Sequence, residues 1–205
     1  MKQESTVKQD HIIEAAIKRF AHFGVNKTTM TEIAEDLGIS KQSLFYYFSD
    51  KQSLTAAVEE KIISAYFEAI ETEFANAPDV EQALLKLIGV KKHFYEKYSM
   101  LLIQAENMDA INGNSVIPAA KQKVKDKEVR LVADLLQKGV AQKELKPLDT
   151  LKSAGLLLEI LSAFEHCVVL KRTIPDQKNF NELSKKQKEV LELIVNGLKC
   201  EEWKS

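Results

Sequence analysis

Cysteine is nearly absent: Cys167 and Cys200 stand in different late segments, with no CxxC and no second pair. That spacing offers neither a zinc site nor a disulfide framework, and it fits two free thiols in a reducing cytoplasm. Glycine, at 7, and proline, at 4, are also scarce in a chain of 205 residues. Few turn-forming residues, with Ala, Leu, Glu and Lys abundant, favour long helices over many short strands, so an all-α fold is expected. The opening MKQESTVKQD has no apolar run, and no signal peptide is expected. The most apolar stretch, Leu151 to Leu170, is interrupted by Lys152, Glu159, Glu165 and His166, which reads as a buried helix and not a membrane span. The net charge of -1 gives no general pull toward nucleic acid or acidic lipid. The chain is long enough to bury a core unaided, so neither a metal nor a cofactor is expected.

Apolar spacing then predicts the elements. Ile13, Ala16, Ile17, Phe20 and Phe23 lie on one face of a helix over residues 7–23, which Gly24 stops as a left-handed cap would. Two short helices follow. Thr29 and Glu32 have the spacing of a capping box, Ser40 precedes KQSLFYYF, and Gly38 lies between them where a tight turn needs it. Asp50 is placed to cap a fourth helix to Asn76, before Ala77 and Pro78. Further helices are expected from Asp79 to Tyr98, Met100 to Met108, Val116 to Gln142 and Thr150 to Lys171. A last one is expected from Ser184, with Gln187 at box spacing, to Cys200. Asn112, Gly113 and Asn114 mark a loop.

Two short helices joined by a glycine-containing turn, behind a longer supporting helix, form a helix-turn-helix arrangement. The second short helix carries Lys41, Gln42, Ser43, Tyr46 and Tyr47, all able to bond to phosphates or base edges, while Leu44 and Phe48, four apart, anchor it inward. The run from Gly24 through Thr28-Thr29, Ile33-Ala34, Gly38-Ile39-Ser40 and the aromatic cluster ending at Phe48, then Lys51, resembles the DNA-binding region of TetR family transcriptional regulators. The likeness covers residues 7–56; the rest is similar in helix count and length.

The resemblance implies a homodimeric repressor whose recognition helix is residues 41–47, released from a double-stranded operator by a small molecule bound in the C-terminal domain. It implies phosphate contacts from Thr28 and Thr29, base-facing positions for Lys41, Gln42 and Ser43, and backbone contacts from Tyr46, Tyr47 and Lys51. It departs at Phe45, where the family usually has tyrosine; the missing hydroxyl removes one phosphate bond. The domains expected are 1–50 for DNA binding and 51–205 for ligand binding and dimerisation. Charge weighs the other way, since residues 1–51 hold seven Lys or Arg and seven Asp or Glu. A helical small-molecule or protein-binding module that keeps the corner for packing alone is therefore the alternative.

Enzyme chemistry finds no support: there is no HExxH, P-loop or GxSxG, and adjacent His166 and Cys167 cannot face one another on a helix. For the effector, Tyr66, Phe67, Phe94, Tyr98, Met100, Gln104, Met108 and Phe164 are candidate lining residues, which suits a small apolar or aromatic compound. The helix over Thr150 to Lys171 is apolar on nearly all sides, so part of it needs a partner. A four-helix dimer interface is expected from Leu157, Leu161, Phe164 and Val168 with Val190, Leu191, Ile194 and Leu198 of the final helix.

Overall fold

The computed structural model describes residues 2–111, 119–169 and 177–200; within these, nothing is said of the side chains of 2–5, 99–100, 102–111, 119–120, 165–169 and 177–179. Eight helices account for the described residues: α1 (Lys2–Phe23), α2 (Met30–Asp36), α3 (Lys41–Tyr47), α4 (Lys51–Ala75), α5 (Val80–Ile111), α6 (Ala119–Ala141), α7 (Thr150–Val169) and α8 (Gln177–Leu198). The described extended pairing is one isolated bridge, Leu145 to Lys199. The fold is all-α, as composition suggests.

Local chemistry sets most helix ends. Gly24 adopts φ 82°, a left-handed conformation costly for residues with a Cβ, and its N–H closes the end of α1 on the Phe20 carbonyl at 2.8 Å. Asp50 accepts from the Ser53 N–H at 2.7 Å ahead of α4. Asp79 does the same for Gln82 at 2.7 Å ahead of α5, and Asp149 for Lys152 at 3.0 Å ahead of α7.

One helix expectation holds and one is corrected. The segments expected from Asp79 to Tyr98 and from Met100 to Met108 are two helical stretches that meet at a kink, where Tyr98 leaves the helical basin (φ -120°, ψ 17°); they are labelled together as α5. The last helix starts at Gln177, and Ser184 and Gln187 are buried within it instead of capping it. The Gln187 amide donates to the Leu161 carbonyl at 3.0 Å, an inter-helix bond that sequence spacing cannot distinguish from a box. Asn112, Gly113 and Asn114 lie outside the described residues.

The chain divides into two compact units, residues 1–65 with 97–114, and 66–96 with 115–205. The division falls inside α4 and not at residue 50. Leu54 and Val58 of α4 are fully buried, and Lys61 pairs with Asp10 at 3.2 Å and Glu14 at 3.0 Å on α1, so the first half of α4 is committed to the N-terminal unit. In this unit α1 packs on α2 and α2 on α3, around Ala16, Phe20, Ile33, Ala34 and Leu44. In the other unit α6 packs on α7 and α7 on α8; Leu84, Leu87, Ile88, Leu136, Leu161 and Leu191 are among its largest fully buried aliphatic side chains.

Candidate nucleic-acid interface

The interface is built from α2, the turn after it, and α3. Thr29 caps α2 reciprocally: its hydroxyl accepts from the Glu32 N–H at 3.2 Å, and the Glu32 carboxylate accepts from the Thr29 N–H at 2.7 Å. The Thr29 backbone N–H, followed by its hydroxyl, holds the Glu32 carboxyl below the usual range. Arg19 of α1 reaches over to Glu32 at 3.0 Å and to both oxygens of Asp36 at 2.7 and 2.6 Å, pinning both ends of α2 to the supporting helix. Hydrogen bonding to Asp36 raises the Arg19 pKa further. Gly38 then turns the chain with φ 63°, and Ser40 caps α3 by accepting from the Ser43 N–H at 3.1 Å.

Two inward residues set the orientation of α3. Leu44 is fully buried and Phe48 nearly so. At about 100° per residue, Gln42 and Tyr46 then lie opposite Leu44, with Lys41 and Phe45 on one flank and Ser43 and Tyr47 on the other. Exposure follows this geometry. Lys41, Gln42 and Ser43 are exposed, Tyr46 is 82% exposed, and Tyr47 is half-buried with its ring edge-on to that of Tyr46 at 5.2 Å. Lys51 is half-buried in the first turn of α4.

Among the expected phosphate contacts, Thr28 is corrected. It is 1% exposed and its hydroxyl donates to the Gly24 carbonyl at 2.9 Å, so in this structure it ties the loop to the end of α1 and does not face outward. Thr29 is exposed, but its hydroxyl donates to Glu32 at 2.9 Å within the cap. Phe45, read from sequence only as a lost hydroxyl, is 38% exposed with the Lys41 ammonium 5.7 Å from its ring centre. The spacing of the two residues, one helical turn, was the available signal.

The effector candidates divide. Tyr66, Phe67 and Phe94 come together: the Tyr66 ring is edge-on to Phe67 at 5.4 Å and to Phe94 at 5.2 Å. Sequence reading missed the ionic group beside them, in which the buried Glu128 carboxylate accepts from the Tyr66 hydroxyl at 2.7 Å and the buried Lys91 ammonium at 3.0 Å. Phe94 also borders an open groove of about 740 Å³ that includes Ala69, Leu85, Gly89 and His93. Phe164 is half-buried in the same unit, whereas Tyr98 is buried and belongs to the N-terminal unit. The side chains of Met100, Gln104 and Met108 lie outside the described residues.

The expected dimer contacts need correction. Leu157, Leu161 and Leu191 are 4%, 2% and 1% exposed, buried where α7 packs on α6 and α8, and have no surface left for a second chain. Phe164, Val190, Ile194 and Leu198 are half-buried, and the Val168 side chain is outside the described residues. Among the described side chains, the exposed large apolar groups of these helices are instead Leu151, Leu156 and Ile160 of α7 and Leu193 of α8.

An all-α protein with a capped two-helix corner, whose second helix turns polar and aromatic side chains outward over an apolar anchor, has the architecture of helix-turn-helix regulators. Residues 12–58 match the family described as bacterial regulatory proteins, tetR family. A transcriptional regulator from Cytophaga hutchinsonii is 30% identical with a TM-score of 0.81, covering 94% of this chain and 99% of its own. The chain belongs to the tetR family. The regulator RutR of Escherichia coli (strain K12) is 29% identical over 92 residues, 43% of this chain and 43% of that relative, so the match spans less than half the relative's length. A TetR-family regulator from Pectobacterium atrosepticum shares the fold at a TM-score of 0.72 and 18% identity, with 98% of each chain covered.

Proposed function

We propose that the chain is a sequence-specific transcriptional regulator that binds a double-stranded DNA operator as a homodimer, and a repressor released by a small apolar or aromatic molecule. The outward face of α3 carries this reading. Lys41, Gln42, Ser43 and Tyr46 are solvent-exposed while Leu44 and Phe48 hold the helix from beneath, the disposition a helix needs to enter a major groove. Lys51 and Tyr47 flank it as phosphate contacts. Thr29 contributes through the cap that positions the start of α2, and through its backbone.

Effector binding is assigned to the unit holding Tyr66, Phe67, Phe94 and Phe164. The continuous α4, with its first half in one unit and its second half in the other, is the covalent route by which a change at Tyr66 and Phe67 reaches the start of α4 next to α3. The dimer is assigned to α7 and α8 through Leu156, Ile160 and Leu193, with Phe164, Val190, Ile194 and Leu198 at its margin. Catalysis has no part in this reading. A cytoplasmic location is proposed with it; among the described residues no helix is long and apolar enough to cross a membrane.

The neutral charge of residues 1–51, seven basic against seven acidic, favours the second reading, a helical binding module without DNA. Fluorescence anisotropy with duplex DNA from upstream of the chain's own gene decides between them. Tight binding that weakens steeply with salt and survives unrelated competitor DNA supports the regulator; the module reading holds if no duplex binds above the non-specific level.

A further inference from the structure

We infer that Phe45 is a base-reading residue, which recognises a thymine in the operator through the thymine C5-methyl group. The inference rests on the DNA-reading function proposed above and goes beyond it by assigning a base and the chemical feature read.

Phe45 cannot retreat into its own domain, because Leu44 and Phe48 already fill the space beneath α3. It stands on the same side flank as Lys41, one turn away, and remains 38% exposed. A phenyl ring neither donates nor accepts a hydrogen bond, so at a phosphate it would strip water from an anion and return nothing. The edges of the base pairs facing the major groove are donors and acceptors with one apolar exception, the thymine methyl. An apolar ring brought into that groove therefore has one favourable target. The Lys41 ammonium, 5.7 Å from the ring centre, steadies the ring from the side toward the helix start by a cation–π contact. Lys41 and Phe45 thus act as a pair on one flank, the ammonium seeking guanine or phosphate oxygen and the ring the methyl group.

The test replaces single thymines by deoxyuracil, which removes the methyl and nothing else. A preferred duplex is first selected from random sequence with the full chain, then each thymine is replaced in turn and affinity is measured by anisotropy for wild type and Phe45→Ala. One position per half-site should cost the wild type about fourfold, the factor one buried methyl corresponds to. At that same position Phe45→Ala should show no penalty, while Phe45→Tyr, which keeps the ring, should retain it. Helical circular dichroism confirms that the variants remain folded. Equal penalties in wild type and Phe45→Ala at every thymine would overturn the assignment, as would a wild type indifferent to all replacements. Failure to select any duplex is a different result, and it would overturn the DNA-binding reading itself.

Discussion

Hydroxyl groups in the helix-turn-helix corner look interchangeable in sequence and do separate things in the structure. Thr28 bonds inward to Gly24, Thr29 closes a cap, and Ser40 closes another. Thr28→Val keeps the shape and removes the inward bond, so it should lower stability by about 1 kcal/mol in urea melts while leaving DNA affinity and its salt slope unchanged. A reduced salt slope would restore Thr28 as a phosphate contact. The carboxylates of the corner set a pH response. Glu32 and Asp50 both sit below the ordinary range because backbone N–H groups, of Thr29 and Ser53 respectively, bond to their ionised forms. In the unfolded chain these carboxyls take up protons near pH 4, and in the folded chain only at lower pH. Between those limits the unfolded state binds more protons, so stability falls as pH drops. Urea midpoints at pH 7 and near pH 3.5 should show this loss, and Glu32→Gln should make it smaller. Glu144, raised by burial, works with the opposite sign, its contribution fading as pH rises.

Helices were legible where their signals are local and less so where packing decides. Gly24, the Thr29–Glu32 box and the Ser40 and Asp50 caps are each contained within four residues, and the structure uses all of them. The Ser184–Gln187 pair has the same spacing as a box, yet a neighbouring helix claims its glutamine, a choice no local pattern encodes. The inward anchors Leu44 and Phe48 could be read because α3 has a single apolar side. By contrast, α7 is apolar nearly all round, and periodicity could not say which stripe its own chain consumes. Glycine shows the same limit. Both Gly139 and Gly89 lie inside helices, but a Cβ on Gly139 would stand 2.6 Å from Val80 Cγ2 and 3.2 Å from Leu145, whereas one on Gly89 meets nothing within 4 Å. Gly89→Ala should therefore gain about 1 kcal/mol from helix propensity. Gly139→Ala should lose about 1–3 kcal/mol, because buried Val80 and Leu145 cannot both give way. Thermal melts of the two variants moving in the same direction would contradict this reading of the α6 packing.

At the scale of the molecule, a seven-residue recognition helix in a segment, residues 1–51, without net charge is a weak DNA ligand alone, and the proposed function depends on doubling it. Two copies reading half-sites about 34–36 Å apart on one face of the duplex gain from linkage what each lacks in electrostatic attraction. That linkage needs a surface, and the exposed apolar side chains of α7 and α8 provide the candidate: Leu156 is 52% exposed and Leu193 is 74% exposed, on two helices already packed together. Scattered exposed leucines are ordinary on monomers, so exposure alone does not decide the matter. Replacing both by glutamate would leave the monomer core untouched, since neither is buried, and would place charge where a second copy must bury it. The double variant should sediment as a monomer, keep its helical circular dichroism, and bind a two-half-site duplex about a hundredfold or more weakly, the scale on which a tethered second site contributes. Its affinity for a single half-site should be unchanged. Leu161→Ala, in the interior, should instead lower stability by about 2–5 kcal/mol, with any loss of dimer following from unfolding. A double variant that remains dimeric would move the interface off this surface, and a wild type that is monomeric at micromolar concentration would leave the neutral segment without the second copy its proposed function needs.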